Sequence, residues 1–241
     1  MAETLEDAAE MISLAGNREK TYGIIQNRRY SGGIINFRDS LDSGKIGQLT
    51  TLNADFYLGA HFDGFRTKMD HVLLFDMAIH CFDQARFIGN IEPVSVYAYD
   101  WNPKGSWYKH GASAMAIFEM SNKVFFSYRG SWCSEGFDTS WDCSWKAIGE
   151  KGALIWDGND KIEGEVPDIN PEFICTKKLL AISNSNNLDF PGHSGAIHEF
   201  FDCLEAGSLP QTVCTDNFKS LSMVLSAIKS AETGKKVKIQ Y

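Results

Sequence analysis

The sequence has no glycine-rich signature for binding a dinucleotide. Its 241 residues contain no G-x-G-x-x-G segment, and no strand, glycine and helix opening is followed by an acidic residue about twenty positions later. One glycine-spaced motif, at residues 149–152, lies between two predicted strands and indicates a turn. We therefore expect no cofactor-binding residue in this chain.

The sequence also lacks the marks of a secreted, membrane or zinc-binding protein. Its six cysteines include no C-x-x-C pair, which argues against a zinc knuckle or a redox dithiol and favours reduced thiols. No segment approaches the roughly 20 apolar residues of a membrane span, and the acidic, amphipathic N-terminus has no cationic start of a signal peptide. We therefore expect a cytoplasmic location and no contact with a membrane.

An excess of basic residues is missing as well. The net charge of −8 and the pI near 5.2 would repel a phosphate backbone, so nucleic acid is not expected as a partner. What is present is a globular composition, with 44% hydrophobic and 22% charged residues. Because no linker interrupts the pattern, we predict one domain over residues 1–241.

Alternating apolar and polar residues predict several strands in the second half of the chain. Strands are expected at residues 94–100, 112–120, 123–132, 140–149 and 152–158, with others at 22–26, 47–58, 172–178 and 235–241. Helices are expected at residues 5–16, 31–43, 70–88, 194–206 and 216–233. Because short turns join successive strands, the pattern favours an antiparallel, meandering sheet.

The long predicted helix carries a candidate acid–base pair. Asp76 and His80 are four residues apart and so lie on one face, with Asp83 one turn further along. A carboxylate beside an imidazole fixes its tautomer, which leaves the other ring nitrogen to take a proton from a substrate hydroxyl. On spacing alone, the commoner explanation is a buried histidine that forms a hydrogen bond with a neighbour on the helix.

A metal site that includes His71 is disfavoured, since His71 lies five residues before Asp76 and nine before His80.

Three other places hold polar side chains suited to a substrate. Arg28 and Arg29 follow a predicted strand directly, where a guanidinium can face a cleft, although a surface salt bridge is the commoner explanation for at least one of them. The loop at residues 101–110 mixes aromatic and hydrogen-bonding groups, which suits a sugar or the packing of a sheet edge on a partner subunit. His193 can reach a cleft or begin a helix. The substrate-binding candidates are Asn27, Arg29, Tyr108 and His193.

Five segments, in the right order, resemble the C-terminal part of the Gfo/Idh/MocA family, the glucose-fructose oxidoreductase and inositol dehydrogenase group. The third of them matches the D-x-x-x-H-x-x-D helix of the family, and the second resembles its strand-end arginine segment. The five segments are AETLEDAAEMISLA, QNRRYSGGI, DMAIHCFDQARFIG, WKAIGEKGALIWDG, and HSGAIHEFFDCLEAG with SLSMVLSAIKSAETGKKVKI.

The resemblance implies a fold, a site and a reaction. The fold is α+β, with a large, mostly antiparallel β-sheet, helices packed on one face, and a sheet that joins subunits into a homodimer or homotetramer. Asp76 and His80 are the catalytic residues, with His80 as proton acceptor or donor and Asp76 orienting either His80 or the substrate. The reaction is NAD(P)-dependent oxidation at a CH–OH group of a sugar, cyclitol or related polyol. The alternative is a non-catalytic sugar-binding or dimerisation module.

In the family, a Rossmann domain and a Glu-Lys-Pro motif with the catalytic lysine precede this region. Met1 falls where the residue after Glu-Lys-Pro would stand, so we expect the nicotinamide domain and the lysine to lie upstream of it. NAD or NADP then belongs to the full-length protein, and no cofactor is expected for this chain alone. We expect the chain alone to be inactive, because it supplies the substrate-binding and oligomerisation domain only.

Overall fold

The computed structural model describes residues 1–168, 173–182 and 188–241, which form a nine-stranded sheet and five α-helices. The strands are β1 Leu49–Tyr57, β2 Pro93–Trp101, β3 Ser113–Met120, β4 Phe125–Ser131, β5 Ser144–Gly149, β6 Ala153–Trp156, β7 Ile162–Pro167, β8 Lys177–Leu179 and β9 Val237–Lys238. The helices are α1 Leu5–Asn17, α2 Gly32–Asp42, α3 Ile79–Gly89, α4 His193–Ala206 and α5 Cys214–Thr233. None of the helices in these ranges is long and apolar enough to cross a lipid bilayer.

The order of strands across the sheet is β8-β7-β6-β5-β1-β4-β3-β2-β9. Strands β1 and β4 pair in parallel, with Asn53 opposite Ser127, and the other pairings in the described ranges are antiparallel. The predicted α+β fold with a mostly antiparallel sheet is therefore confirmed. Strand β1 stands between β5 and β4, so an early segment of the chain occupies the middle of the sheet.

One face of the sheet carries the core, and the alternation along the strands decides which side chains reach it. In β3, Ala116 and Phe118 are buried while Met115 and Ile117 are exposed. Phe82 of α3 packs edge-on against Phe118, with ring centroids 4.7 Å apart. Burying a phenylalanine side chain contributes about 2 kcal/mol, so contacts of this kind fix α3, and the residues it carries, on the sheet.

The predicted helix at residues 70–88 consists of two continuous elements. A π-helix, Leu73–Ala78, comes first and runs directly into α3. Asn90, with a left-handed backbone (φ 46°), ends α3. Short π-helical insertions are frequent at functional sites, and this one holds Asp76.

Two predicted strands differ from the structure, and one observed strand was not predicted. Residues 22–26 form no regular strand, because they make only a bridge between Gly23 and Val213 before the chain enters the 3-10 turn Asn27–Tyr30. The strand expected at 172–178 begins outside the described residues, and β8 starts at Lys177. Strand β7 was not predicted, since its short sequence IEGEVP contains glycine and proline.

Candidate active site

His80 lies near the start of α3 with an uncharged imidazole. The residue is partly buried, and its Nδ1 atom is enclosed without a hydrogen-bond partner. Burial, followed by the charges of the nearby Arg28 and His193, lowers the pKa of His80 to about 3. The ring is therefore neutral near pH 7 and can accept a proton.

The Asp76 carboxylate is bound by an arginine and not by the imidazole of His80. Arg66 donates from Nε to Oδ2 at 2.6 Å and from Nη2 to Oδ1 at 3.3 Å. Hydrogen bonds between a guanidinium and a carboxylate are stronger than those from a neutral donor, which explains this choice of partner. The expected contact, in which Asp76 fixes the tautomer of His80, is not among the hydrogen bonds of the described residues.

Arg28 connects the π-helix before α3 to the segment that precedes β5. Its Nη2 lies 3.3 Å from the sulfur of Met77, and its Nη1 donates to the backbone carbonyl of Trp141. The same Nη1 is 3.7 Å from Oδ1 of Asp142. These contacts fix a positive charge beside His80, which is one reason for the low pKa of that imidazole.

Asp142 joins the His80 region to a cavity. Gln84, four residues after His80 on α3, donates from Nε2 to Oδ1 of Asp142 at 3.0 Å, while its own Oε1 is buried without a partner. Burial raises the pKa of Asp142, and the neighbouring Arg28 and Gln84 oppose that shift. The cavity has a volume of about 630 Å³, within the range of small-molecule sites. Its walls include Ser31, Gly33, Asn36, Asp142, Asn159 and Asp160.

Arg29 was predicted to bind substrate, but protein groups occupy its guanidinium. It donates two hydrogen bonds to Asp83, at 2.7 and 2.6 Å, and one to Asp216 at 2.8 Å. Only 6% of its side chain is exposed. The 3-10 turn Asn27–Tyr30 thus directs adjacent arginines to different places, Arg29 into the interior and Arg28 to the site.

The remaining three substrate-binding candidates lie in different surroundings. Tyr108 is buried, and its hydroxyl donates to the carbonyl of Ala60, so that group is not available to a substrate. His193 is exposed at the first position of α4 and lies close enough to influence the pKa of His80. Asn27 is half-buried and precedes Arg28 in the 3-10 turn. The structure therefore places His193 near His80 and Asn27 next to Arg28, and it leaves Tyr108 in the core.

His71 does not join Asp76 and His80. Its Nδ1 lies 2.5 Å from Oδ2 of Asp100, and its Nε2 lies 3.4 Å from Oε1 of Glu232. Across residues 1–168, 173–182 and 188–241, no group of three or more His, Cys, Asp or Glu side chains is placed to hold a metal ion.

Sequence reasoning missed several residues of the site. Gln84 could have been found, because it follows His80 by one helical turn and therefore shares its face. Arg66 and Asp142 gave no usable signal, since each reaches the site from a separate loop. Their partners are fixed by tertiary contacts and not by sequence spacing.

The described residues do not fit a dinucleotide. A glycine-rich helix start does occur at residues 31–33, but a Cβ atom on Gly33 would lie 2.7 Å from Trp156 and 2.9 Å from the carbonyl of Asn159. The glycine makes room for protein atoms and not for a pyrophosphate. No described residue of this chain is therefore assigned to the binding of a nicotinamide.

The α+β architecture and the D-x-x-x-H helix are those expected for the C-terminal domain of the Gfo/Idh/MocA family, and the family comparison agrees. Residues 34–155, half of the chain, match the model of the GFO/IDH/MocA C-terminal domain. The chain belongs to this family, whose members are oxidoreductases.

Known proteins resemble the chain along its whole length. An uncharacterized protein of Sinorhizobium fredii is 24% identical over all of this chain and 68% of its own length, and 1,5-anhydro-D-fructose reductase of Ensifer adhaerens is 23% identical over all of this chain and 71% of its own. An oxidoreductase from Agrobacterium radiobacter, solved with NAD+, L-tartaric acid and magnesium, superimposes with a TM-score of 0.81 at 20% identity, covering 98% of this chain and 70% of that one. Levoglucosan dehydrogenase, solved with NADH and levoglucosan, gives 0.78 at 14% identity, covering 100% and 72%.

Proposed function

We propose that residues 1–241 form the substrate-binding and oligomerisation domain of an NAD(P)-dependent oxidoreductase that acts on a CH–OH group of a sugar, cyclitol or related polyol. The observation that carries this proposal is His80, a neutral imidazole with an unpartnered nitrogen beside the charge of Arg28. The levoglucosan bound to one structural relative and the 1,5-anhydro-D-fructose named for another relative support the substrate class.

In this proposal His80 is the proton acceptor for the reacting hydroxyl. The substrate O–H bond breaks, its proton moves to a ring nitrogen of His80, and the oxygen keeps the electron pair that forms the carbonyl as the hydride leaves carbon. Arg28 stabilises the negative charge that develops on this oxygen. The hydride acceptor in this proposal is NAD(P), which is not bound by the described residues.

Other side chains hold the substrate in this proposal. Asp76, which is already bound by Arg66, accepts a hydrogen bond from a second hydroxyl, and Asn27 and His193 bind further hydroxyls. Arg29 and Tyr108 have no part in it, because protein groups use their polar atoms. Orientation by several fixed groups is what brings the reacting hydroxyl within reach of His80.

We also propose that a nucleotide-binding domain packs against the helical side of the molecule. Apolar side chains on α4 and α1 are exposed there, with Ile197 at 44%, Phe201 at 59% and Leu14 at 49%. Exposed large apolar side chains of this kind are often found at an interface. Without that domain the chain lacks a hydride acceptor, so on its own it is inactive.

The outer face of the sheet is the proposed subunit interface. Its exposed large side chains are Tyr97, Tyr99, Trp101, Met115, Ile117, Phe125 and Ile155. This surface lies opposite the helices, so association through it leaves the His80 region open. A homodimer, or a homotetramer built from two of them, is the expected assembly.

A second candidate function is a sugar-binding module without catalysis. The observation that favours it is the packing of Gly33 against Trp156 and Asn159, which leaves the polar cavity beside Asp142 but no cradle for a dinucleotide. The Arg28–His80 cluster would then recognise a hydroxyl without reacting with it.

The test is NAD(P)H-linked oxidation of a panel of sugars and cyclitols by this chain and by the same chain extended upstream through a Glu-Lys-Pro segment and the nucleotide-binding domain. Turnover by the extended form, abolished by His80→Ala and retained by the control Tyr108→Phe, supports the enzyme. Sugar binding without turnover by either form supports the binding module instead. If neither form binds or oxidises any member of the panel, both candidate functions are wrong.

A further inference from the structure

Trp141 is an exposed indole held firmly between β4 and β5. Its side chain is 47% exposed, and it directly precedes Asp142, which lines the cavity. The backbone carbonyl of Trp141 accepts a hydrogen bond from Arg28. The indole ring lies 6.2 Å from the ring of Phe56 and 6.4 Å from that of Phe62, both tilted. The position of Trp141 is therefore fixed while much of the indole remains open.

These contacts connect Trp141 to two polar parts of the candidate site. On one side Arg28, bound to the Trp141 carbonyl, lies close enough to His80 to lower its pKa. On the other side the guanidinium of Arg66 stacks 4.9 Å from the centre of the Phe62 ring and binds Asp76. Trp141 is thus linked directly to Arg28, and through Phe62 and Arg66 to Asp76, both of which bind substrate oxygens in the proposed function.

An isolated exposed aromatic residue is common on protein surfaces and needs no explanation. Trp141 differs because its backbone carbonyl binds Arg28 and because its indole packs on Phe62, the ring on which Arg66, the partner of Asp76, is stacked. A flat apolar surface surrounded by hydrogen-bonding groups complements a ring whose face carries C–H bonds and whose edge carries hydroxyls.

We infer that Trp141 is a specificity-determining residue that stacks on the ring of a cyclic polyol, a pyranose or a cyclitol, and so selects it over an open-chain polyol. The inference rests on the proposed function and deepens it. A ring brings its C–H face preformed to the indole, while its hydroxyls reach Arg28, His80 and Asp76. An open chain has no such face and loses more conformational freedom when it is ordered in the site.

The experiment compares myo-inositol with D-mannitol, which has the same number of hydroxyl groups on an open chain, and adds levoglucosan as a second ring. Binding to residues 1–241 is measured by saturation-transfer difference NMR and by titration calorimetry. We expect both rings to bind more tightly than mannitol, with the strongest saturation transfer to their C–H protons. Trp141→Ala should weaken ring binding by about tenfold and leave mannitol binding nearly unchanged, whereas Trp141→Phe should retain most of the affinity.

Phe137→Ala is the matched control, since Phe137 is a fully exposed aromatic residue in the same loop. Circular dichroism and melting curves establish that each variant is folded, and Trp141→Phe keeps the test valid if the alanine variant unfolds. Equal ring affinity in wild type and Trp141→Ala overturns the inference alone, as does an equal loss in Phe137→Ala or equal affinity for mannitol and inositol. A wild-type chain that binds none of the three contradicts the proposed substrate class, and the inference with it.

Discussion

Arg29 and Asp83 form a doubly hydrogen-bonded ion pair in the interior. The two bonds measure 2.7 and 2.6 Å, and the side chains are 6% and 2% exposed. Removing Asp83 takes away the carboxylate that makes two of the hydrogen bonds to the buried guanidinium of Arg29 and leaves it only Asp216 as an acidic partner. We therefore expect Asp83→Asn to lower the free energy of unfolding by about 3 kcal/mol, measured by urea denaturation.

A surface ion pair provides the control for this measurement. Arg38 and Asp42 lie 3.6 Å apart on α2, with 36% and 62% of their side chains exposed. Asp42→Asn should change the free energy of unfolding by less than about 0.5 kcal/mol. If Asp83→Asn lowers the free energy of unfolding as little as Asp42→Asn does, the buried ion pair of Arg29 and Asp83 does not stabilise the fold as predicted.

His80 should make the protein less stable in acid. The unfolded chain takes up this proton near pH 6.5, whereas the folded chain does so only near 3. Between these values the unfolded state therefore binds more protons, and the free energy of unfolding falls as pH falls. His80→Gln should remove this contribution, so the wild type should lose about 2 kcal/mol more than the variant between pH 7 and pH 5. Parallel urea titrations at both values measure the difference, and identical losses would count against a buried neutral imidazole.

His71 should make the protein less stable at alkaline pH. The hydrogen bond with Asp100 raises the pKa of His71, with smaller help from Glu232. The stabilising contribution is complete below the unfolded value near 6.5 and is lost as pH rises through the higher folded value. His71→Gln should remove this alkaline loss, which thermal unfolding at pH 6 and pH 9 can measure. A variant that loses as much stability as the wild type on the alkaline side would show that His71 is not the titrating group.

The outer face of the sheet should control association. We expect Ile117→Lys, at a position 56% exposed in β3, to convert the homo-oligomer to monomer, because a charge in an apolar interface is costly to desolvate. Analytical ultracentrifugation measures the mass. Phe201→Lys on α4, 59% exposed but on the helical side, is the control and should leave the mass unchanged. A monomeric wild type would refute the interface outright.

The sequence predicted those parts of the fold that depend on local patterns. The strand predicted at residues 94–100 is β2, in which Val96 and Ala98 are buried, and the helix predicted at 194–206 is α4, which ends at Ala206. The strand predicted at residues 22–26 was wrong, because a run of apolar residues cannot reveal that its pairing is a single bridge to a distant segment.

The candidate site was predictable only along one helix. The spacing identified Asp76 and His80, but it could not show that Arg66 would capture the carboxylate. Nor could it decide between Arg28 and Arg29, because adjacent residues of a 3-10 turn point in different directions and tertiary partners determine which is buried. Which of two adjacent arginines is buried depends on contacts with residues that are distant in the sequence.

The central position of β1 has a consequence for how the chain folds. Asn53 of β1 meets Ser127, 74 residues later, and Lys146, 93 residues later. Closing loops of this size costs entropy before any pairing compensates for it, so folding should be slow for a chain of this length. During synthesis β1 must wait for β4 and β5 to emerge, with its apolar side and both edges exposed, which makes this strand the segment most in need of protection from aggregation.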